Sequence, residues 1–224
     1  MTKKLELDLG EINLSLLKVE KRWPEIDNEL DKQKIGRKDI PFDRQVREQM
    51  MCAYEYVNQI LSEEIVPFSL ESFSRMLELN NMVHYGKDYT LRLEENKAIL
   101  TSRKKFYDHI GVLEKWYRKH KKRGDHPLKL ASEIYVGIVG YPQLFVEGNH
   151  RTGSVIASWI DVYNGYAPFI LSPDNAISFF KPSSEIKHFS DKSTWRGRLK
   201  LPKYKKSFRE FWEDHIDDKY LKKR

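Results

Sequence analysis

The stretch that most constrains the fold is "LKLASEIYVGIV", residues 128–139, which is almost wholly apolar. A helix that is apolar on all sides belongs in the interior, because it has no polar face to turn toward water. The sequence therefore predicts a central, buried helix with the other elements packed around it.

Several other segments carry apolar residues at helical spacing. In residues 43–65 these apolar positions follow a start signal supplied by Pro41 and Asp43. A second helix is predicted from a candidate cap at Ser69 or Ser72 to about Met82, and a third from Lys104 to the basic run before Gly124. Three more are predicted later in the chain. They lie over residues 151–166, after the Ser-Pro-Asp start at residue 172, and over the charged amphipathic segment from Lys206 to Arg224. In the helix over 151–166, Trp159 and Ile160 are predicted to face the core.

One segment departs from this pattern. In "LRLEENKAILTS", residues 91–102, apolar and polar residues alternate on both sides of Glu-Glu-Asn. Alternation of this kind is typical of strands. We therefore expect a short β-hairpin in an otherwise helical chain.

Composition limits the class of protein. The chain has a formal charge of +7, from 40 Lys and Arg against 33 Asp and Glu, so phosphate-bearing partners fit its charge. Its single cysteine, Cys52, excludes an internal disulfide and favours a reducing compartment. Charges interrupt the N-terminus and no stretch is long and apolar enough to span a membrane, so we expect a cytoplasmic protein with no membrane partner.

The segment "QLFVEGNHRTGS", residues 143–154, places a polar turn directly before a predicted core helix. The first N–H groups of a helix and its dipole attract anions, Gly148 allows close approach, and the Arg151 fork suits phosphate oxygens. Glu147 would repel a bare phosphate but could bind Mg²⁺. The residue types describe a nucleotide-phosphate clamp or, equally well, a helix cap with Asn149 as the capping residue and Arg151 in a surface ion pair.

The segment "FVEGNHRTGS" resembles the signature of the Fic (Fido) family, His-x-Phe-x-Asp/Glu-Gly-Asn-Gly-Arg-x-x-Arg. Phe145, Glu147, Gly148, Asn149 and Arg151 match it. The resemblance implies an all-α fold, with a Fic-like helical core over residues 70–200 and a small β-hairpin flap at residues 91–101. Residues 1–69 would then form an N-terminal helical extension and residues 201–224 a C-terminal basic helix.

The resemblance also implies an activity, the transfer of AMP from ATP to a protein hydroxyl. Other members transfer phosphate or phosphocholine. ATP as substrate and Mg²⁺ as cofactor follow by resemblance only. The candidate nucleotide-binding residues are Gly148, Asn149, His150, Arg151, Thr152 and Ser154, and Glu147 is the candidate metal ligand. The expected partners are a target protein or the chain itself, and an antitoxin-type or inhibitory protein.

Three residues depart from the signature. Gln143 stands at the position of the catalytic His, and its amide cannot accept a proton near neutral pH. His150 replaces the second Gly, where the Doc branch carries Lys. As a neutral imidazole at a helix N-terminus, it is a candidate replacement base. Ser154 replaces the final Arg, which removes a charge aimed at the phosphates.

Three functions follow as alternatives. The first is a Fic-like nucleotidyltransferase with weakened or altered chemistry, and the second is a catalytically inactive Fic fold that binds a nucleotide or a protein. The third is a basic, nucleic-acid-associated helical protein, although no known nucleic-acid motif accompanies the basic runs.

Overall fold

The structure is a computed structural model that describes residues 5–35, 41–189 and 195–223. In these ranges the chain is mostly helical, with one two-stranded antiparallel sheet. The elements in chain order are β1 (Leu5–Leu7), α1 (Leu9–Lys32), α2 (Arg44–Ser62), α3 (Ser72–Tyr85), α4 (Tyr89–Glu94), α5 (Asn96–Lys122), α6 (Pro127–Val139), α7 (Asn149–Tyr163), α8 (Ala176–Phe189), α9 (Trp195–Asp214), a 3-10 turn (Asp218–Tyr220) and β2 (Leu221–Lys223). The predicted all-α class with a small strand pair is confirmed.

The predicted central helix is α6, and it is buried as expected. Nine of its thirteen residues are buried. Its main neighbour is α7, which approaches it closely at Gly153, where an added Cβ would lie 3.1 Å from the Tyr135 ring. Trp159 and Ile160 on α7 are fully buried, which confirms the predicted facing of that helix.

The helix predicted to start at Asp43 is α2, and Asp43 caps it by accepting a hydrogen bond from the Val46 N–H at 2.9 Å. Buried side chains from α1, α2 and α3 belong to the same hydrophobic cluster as those of α6 and α7. The division into residues 1–69, 70–200 and 201–224 stays a prediction, and parts of each range lie outside the described residues.

The hairpin prediction for residues 91–102 is wrong, because this segment belongs to two helices. Asp88 caps α4 by accepting a hydrogen bond from the Leu91 N–H at 3.0 Å, and α5 begins at Asn96. The strand pair lies elsewhere: Leu5 pairs with Lys223 and Leu7 with Leu221. On the other side of β1, the Asn58 amide accepts from the Leu7 N–H at 2.7 Å and donates to the Leu7 carbonyl at 3.0 Å.

The final predicted helix ends earlier than expected. Helix α9 stops at Asp214, and Asp217 then caps the 3-10 turn by accepting from the Lys219 N–H at 3.0 Å. Residues 221–223 form β2, and Arg224 lies outside the described residues. None of the helices in the described ranges has the length and apolarity needed to cross a membrane.

Candidate functional site

The turn before α7 opens onto a cavity of about 230 Å³. The apolar lining residues come mainly from the N-terminal part of the chain and from α8. The polar lining residues come largely from the turn itself. The lining residues used below are Trp23, Phe42 and Phe180 on the apolar side, and His84, Gln143, Glu147, Gly148, Asn149, His150, Arg151 and Lys187 on the polar side.

Two contacts hold the turn in place. Phe145 is fully buried and stacks on Phe106 with 5.5 Å between ring centroids. The Asn149 amide accepts from the Phe145 N–H at 2.8 Å and donates to the Phe145 carbonyl at 3.0 Å. Because both ends of its amide are engaged, the Asn149 side chain shapes the loop and does not reach the cavity as a free donor.

The helix-cap interpretation of the turn is wrong. The N-cap residue of α7 is Gly148, and no side chain caps the helix. The first hydrogen bond runs from the Thr152 N–H to the Gly148 carbonyl at 2.9 Å. Within the described part of the chain, the N–H groups of Asn149, His150 and Arg151 therefore lack partners, at the positive end of the helix dipole.

Gly148 has a left-handed backbone with φ of 70°. A side chain there would also collide with His84 of α3, because an added Cβ would lie against the imidazole Nε2. The structure thus shows close approach of an imidazole to Gly148, while the close approach of a phosphate stays a prediction. Glycine is the residue that satisfies both requirements.

Arg151 is partly buried and lines the cavity. Its guanidinium donates one hydrogen bond, to the Val83 carbonyl at 3.1 Å, and it forms no ion pair with any residue in the described ranges. Burial lowers the pKa of this guanidinium, while the charges of Glu147 and Asp43 raise it. The predicted surface ion pair is therefore wrong, and Arg151 presents a positive charge to the cavity.

His150 projects from α7 toward α6 and α8. Its Nδ1 lies 3.0 Å from the Tyr135 hydroxyl and 2.8 Å from the Ser183 hydroxyl. Burial, with a smaller contribution from Lys187, lowers the pKa of His150 to about 4. The ring is neutral at pH 7, as predicted, but such a weak base does not suit proton abstraction near neutral pH.

Two predicted nucleotide-binding residues lie away from the cavity. Thr152 is fully buried, and its hydroxyl accepts a hydrogen bond from the Asn80 amide at 3.0 Å. The Ser154 hydroxyl donates to the Arg151 carbonyl at 2.8 Å, inside its own helix. Neither residue lines the cavity.

Gln143 and Glu147 both line the cavity. The Gln143 amide donates a long hydrogen bond of 3.4 Å to the Val139 carbonyl, at the end of α6. Glu147 is largely exposed and is the one carboxylate among the lining residues in the described ranges. No cluster of three or more His, Cys, Asp or Glu that could hold a metal occurs in those ranges.

Sequence reasoning missed residues that support the turn from other helices. The Asn80 amide on α3 donates to the Glu147 carbonyl at 3.1 Å, and the Lys105 ammonium on α5 donates to the Phe145 carbonyl at 2.9 Å. A polar residue on the buried face of α3 is the signal that could have identified Asn80.

Comparisons of the chain with protein-family models, curated proteins and solved structures found no match. The resemblance to the Fic signature therefore depends on the motif alone and stays a prediction.

Proposed function

We propose that the cavity binds a nucleotide, with its phosphates at the N-terminus of α7. The observation that carries this proposal is Arg151, a partly buried guanidinium that faces the cavity and uses one hydrogen bond within the described residues. A guanidinium keeps its charge in proteins and offers five N–H donors in a fork that matches phosphate oxygens. The backbone N–H groups of residues 149–151, which have no partner among the described residues, add donors beside it.

The apolar lining residues suit an aromatic base. The Trp23 ring lies 5.7 Å from Phe42 and 5.9 Å from Phe180, measured between centroids, so three aromatic side chains meet on this side. Aromatic side chains interact favourably with a flat aromatic base when the two rings stack. The cavity is partly open to solvent, so a bound nucleotide would lie partly inside it and extend through its mouth.

Mg²⁺ fits this arrangement through Glu147 alone. Mg²⁺ commonly binds one or two carboxylates and completes its shell with water and substrate phosphates, so one carboxylate at the mouth is sufficient. When bound, the ion would neutralise phosphate charge. The chain's own contribution is Arg151, which fixes the phosphates, and the Asn149–Phe145 pair, which fixes the turn.

We propose further that the chain is a Fic-like transferase with weakened chemistry, which transfers AMP or another phosphate-containing group from the nucleotide to a hydroxyl of a target protein or of itself. In this step the hydroxyl oxygen bonds to a phosphorus of the nucleotide, the bond from that phosphorus to the departing part of the nucleotide (pyrophosphate in AMP transfer) breaks, and the hydroxyl gives up its proton. Gln143 cannot accept that proton, and His150, with a pKa of about 4, is a weak acceptor. The same facts favour the second candidate, an inactive binding module.

Titration of the chain with ATP by calorimetry, with and without Mg²⁺, tests the binding step. Arg151→Ala should weaken ATP binding by about tenfold to about 150-fold, which corresponds to about 1.5 to 3 kcal/mol for a hydrogen bond to a charged group. Arg118→Ala, on the exposed side of α5, is the matched control and should bind as the parent does. If Arg151→Ala binds ATP with unchanged affinity, the cavity is not the phosphate site.

Gln143→His tests the chemistry separately. It places a proton acceptor at the cavity wall, and a positioned general base contributes about 10²- to 10⁴-fold. Transfer of label from ATP to the chain or to a bait protein should rise by at least about tenfold. Gln143→Asn, which adds no acceptor, should leave transfer at the parental level. A Gln143→His variant that binds ATP and transfers nothing would establish the binding-module alternative.

A further inference from the structure

At the edge of the cavity, three polar side chains from three helices meet. The Tyr135 hydroxyl on α6 contacts the Ser183 hydroxyl on α8, and both lie within hydrogen-bond distance of His150 Nδ1. Tyr135 and Ser183 are fully buried. The turn motif alone gives no indication of this cluster, because two of its members lie on other helices.

The number of protons in the cluster selects one form of the imidazole. If Nδ1 carries no proton, Tyr135 donates to Ser183 and Ser183 donates to Nδ1, so that each proton has an acceptor. If Nδ1 carries the proton, the cluster has three donors, namely both hydroxyls and the Nδ1–H, and its acceptors are the two hydroxyl oxygens. One donor then has no acceptor among the described residues. A buried unsatisfied donor is costly, so the first arrangement is favoured.

The proton of the neutral ring must then be on Nε2. No hydrogen bond within the described part of the chain uses this nitrogen, and the ring lines the cavity. Arg151, the next residue, supplies charged donors to the same space.

We infer that His150 is a specificity-determining residue that is locked by Tyr135 and Ser183 as the Nε2–H tautomer, and that it donates a neutral hydrogen bond to an unprotonated oxygen of the cavity's ligand. The inference rests on the proposed function for the identity of that ligand. Together with Arg151 and the backbone N–H groups, His150 completes a set of groups at the start of α7 that consists of donors. This set therefore selects a ligand group that is solely an acceptor, such as a deprotonated phosphate.

The tautomer can be measured without any ligand. Long-range ¹H–¹⁵N correlation spectra of the ¹⁵N-labelled chain distinguish a protonated from an unprotonated ring nitrogen, and His150→Gln identifies the signals of His150. We expect Nε2 to be protonated and Nδ1 to be unprotonated at pH 7. A proton on Nδ1 would overturn the inference.

Two single variants and their combination test the lock. In Ser183→Ala the Tyr135 hydroxyl still lies 3.0 Å from Nδ1, and in Tyr135→Phe the Ser183 hydroxyl still lies 2.8 Å away, so each single variant should keep the Nε2–H form. The double variant removes both donors and should show a mixture of tautomers. If the double variant keeps one tautomer, the two hydroxyls do not lock the ring.

ATP binding then tests whether His150 donates a hydrogen bond to the ligand. His150→Gln keeps an N–H at about the position of Nε2, whereas His150→Leu keeps bulk without a donor. Loss of one neutral hydrogen bond corresponds to about a tenfold loss of affinity. We expect this loss in His150→Leu and nearly parental affinity in His150→Gln. Equal affinity of His150→Leu and the parent would overturn the donor role.

The two proposals fail in different ways. A parent chain that does not bind ATP overturns the proposed function, and the spectra still decide the tautomer. A parent that binds ATP and carries its proton on Nδ1 overturns this inference alone.

Discussion

Acidification should destabilise the chain through His150. The pKa of this residue falls from 6.5 to about 4 on folding, mainly because of burial. The folded state therefore binds the proton less tightly than the unfolded chain does. The free energy of unfolding is therefore unaffected by this residue well above pH 6.5, and it decreases as the pH falls from 6.5 toward 4.

The size of this effect follows from the same two values. Between pH 7 and pH 5 the unfolded imidazole becomes almost fully protonated, while the folded imidazole stays mostly neutral. Proton linkage then lowers the free energy of unfolding by about 2 kcal/mol through this residue alone. That change is large beside a typical total stability of about 5 to 15 kcal/mol.

The assay is urea unfolding of the parent and of His150→Gln at both pH values. Other titratable groups are common to both chains and cancel in the difference. The pKa values of Asp8 and Asp125 are lowered from 3.8, so these two carboxyls titrate below this range. The stability of the parent relative to the variant should fall by about 2 kcal/mol from pH 7 to pH 5. His109→Gln removes an imidazole from α5 and serves as the control. A difference between parent and His150→Gln that does not change with pH would refute the reasoning.

Two further substitutions test the packing around the site. Gly148→Ala should destabilise the chain by about 2 kcal/mol, from positive-φ strain and the collision with His84, and by only about 1 kcal/mol in a His84→Ala background. Equal losses in both backgrounds, measured by urea unfolding, would exclude the collision. Trp159→Ala should cost about 3 to 5 kcal/mol because the side chain is fully buried, whereas Val112→Ala on the exposed side of α5 should change stability by less than about 0.5 kcal/mol.

The sequence was sufficient to predict the helical core, because the spacing of the apolar residues shows which face of each helix is buried. It failed at residues 91–102, where Leu93 and Leu100 alternate with polar residues yet are 78% and 53% exposed. Alternation there does not mark the two faces of a sheet. The Asp88 cap and helix-favouring residues decide the local structure instead.

The site was predicted in part. Five of the predicted residues line one cavity, because they lie close together in the sequence on a single turn: Gln143, Glu147, Gly148, His150 and Arg151. The burial of Thr152 could have been predicted, because it lies one turn before the buried Val155 and Ile156 on the same face of α7.

The aromatic wall and the Tyr135–Ser183 pair could not be predicted from the sequence. Trp23 and Phe42 lie about a hundred residues before the motif, and Ser183 lies 33 residues after His150. Tertiary packing brings these residues together, and a local sequence pattern does not show which distant residues pack against each other.

The pairing of β1 with β2 has a consequence for the order of folding. It joins residues 5–7 to residues 221–223, so it closes almost the whole described chain into one loop. The entropy of closing such a loop is unfavourable until the helices between its ends are ordered, and two strands of three residues contribute little stability of their own. The strand pair should therefore form last and open first. Amide exchange at Asp8, whose N–H donates to the Tyr220 carbonyl at 2.8 Å directly beside the strand pair, should then report local opening, while exchange in α6 reports global unfolding.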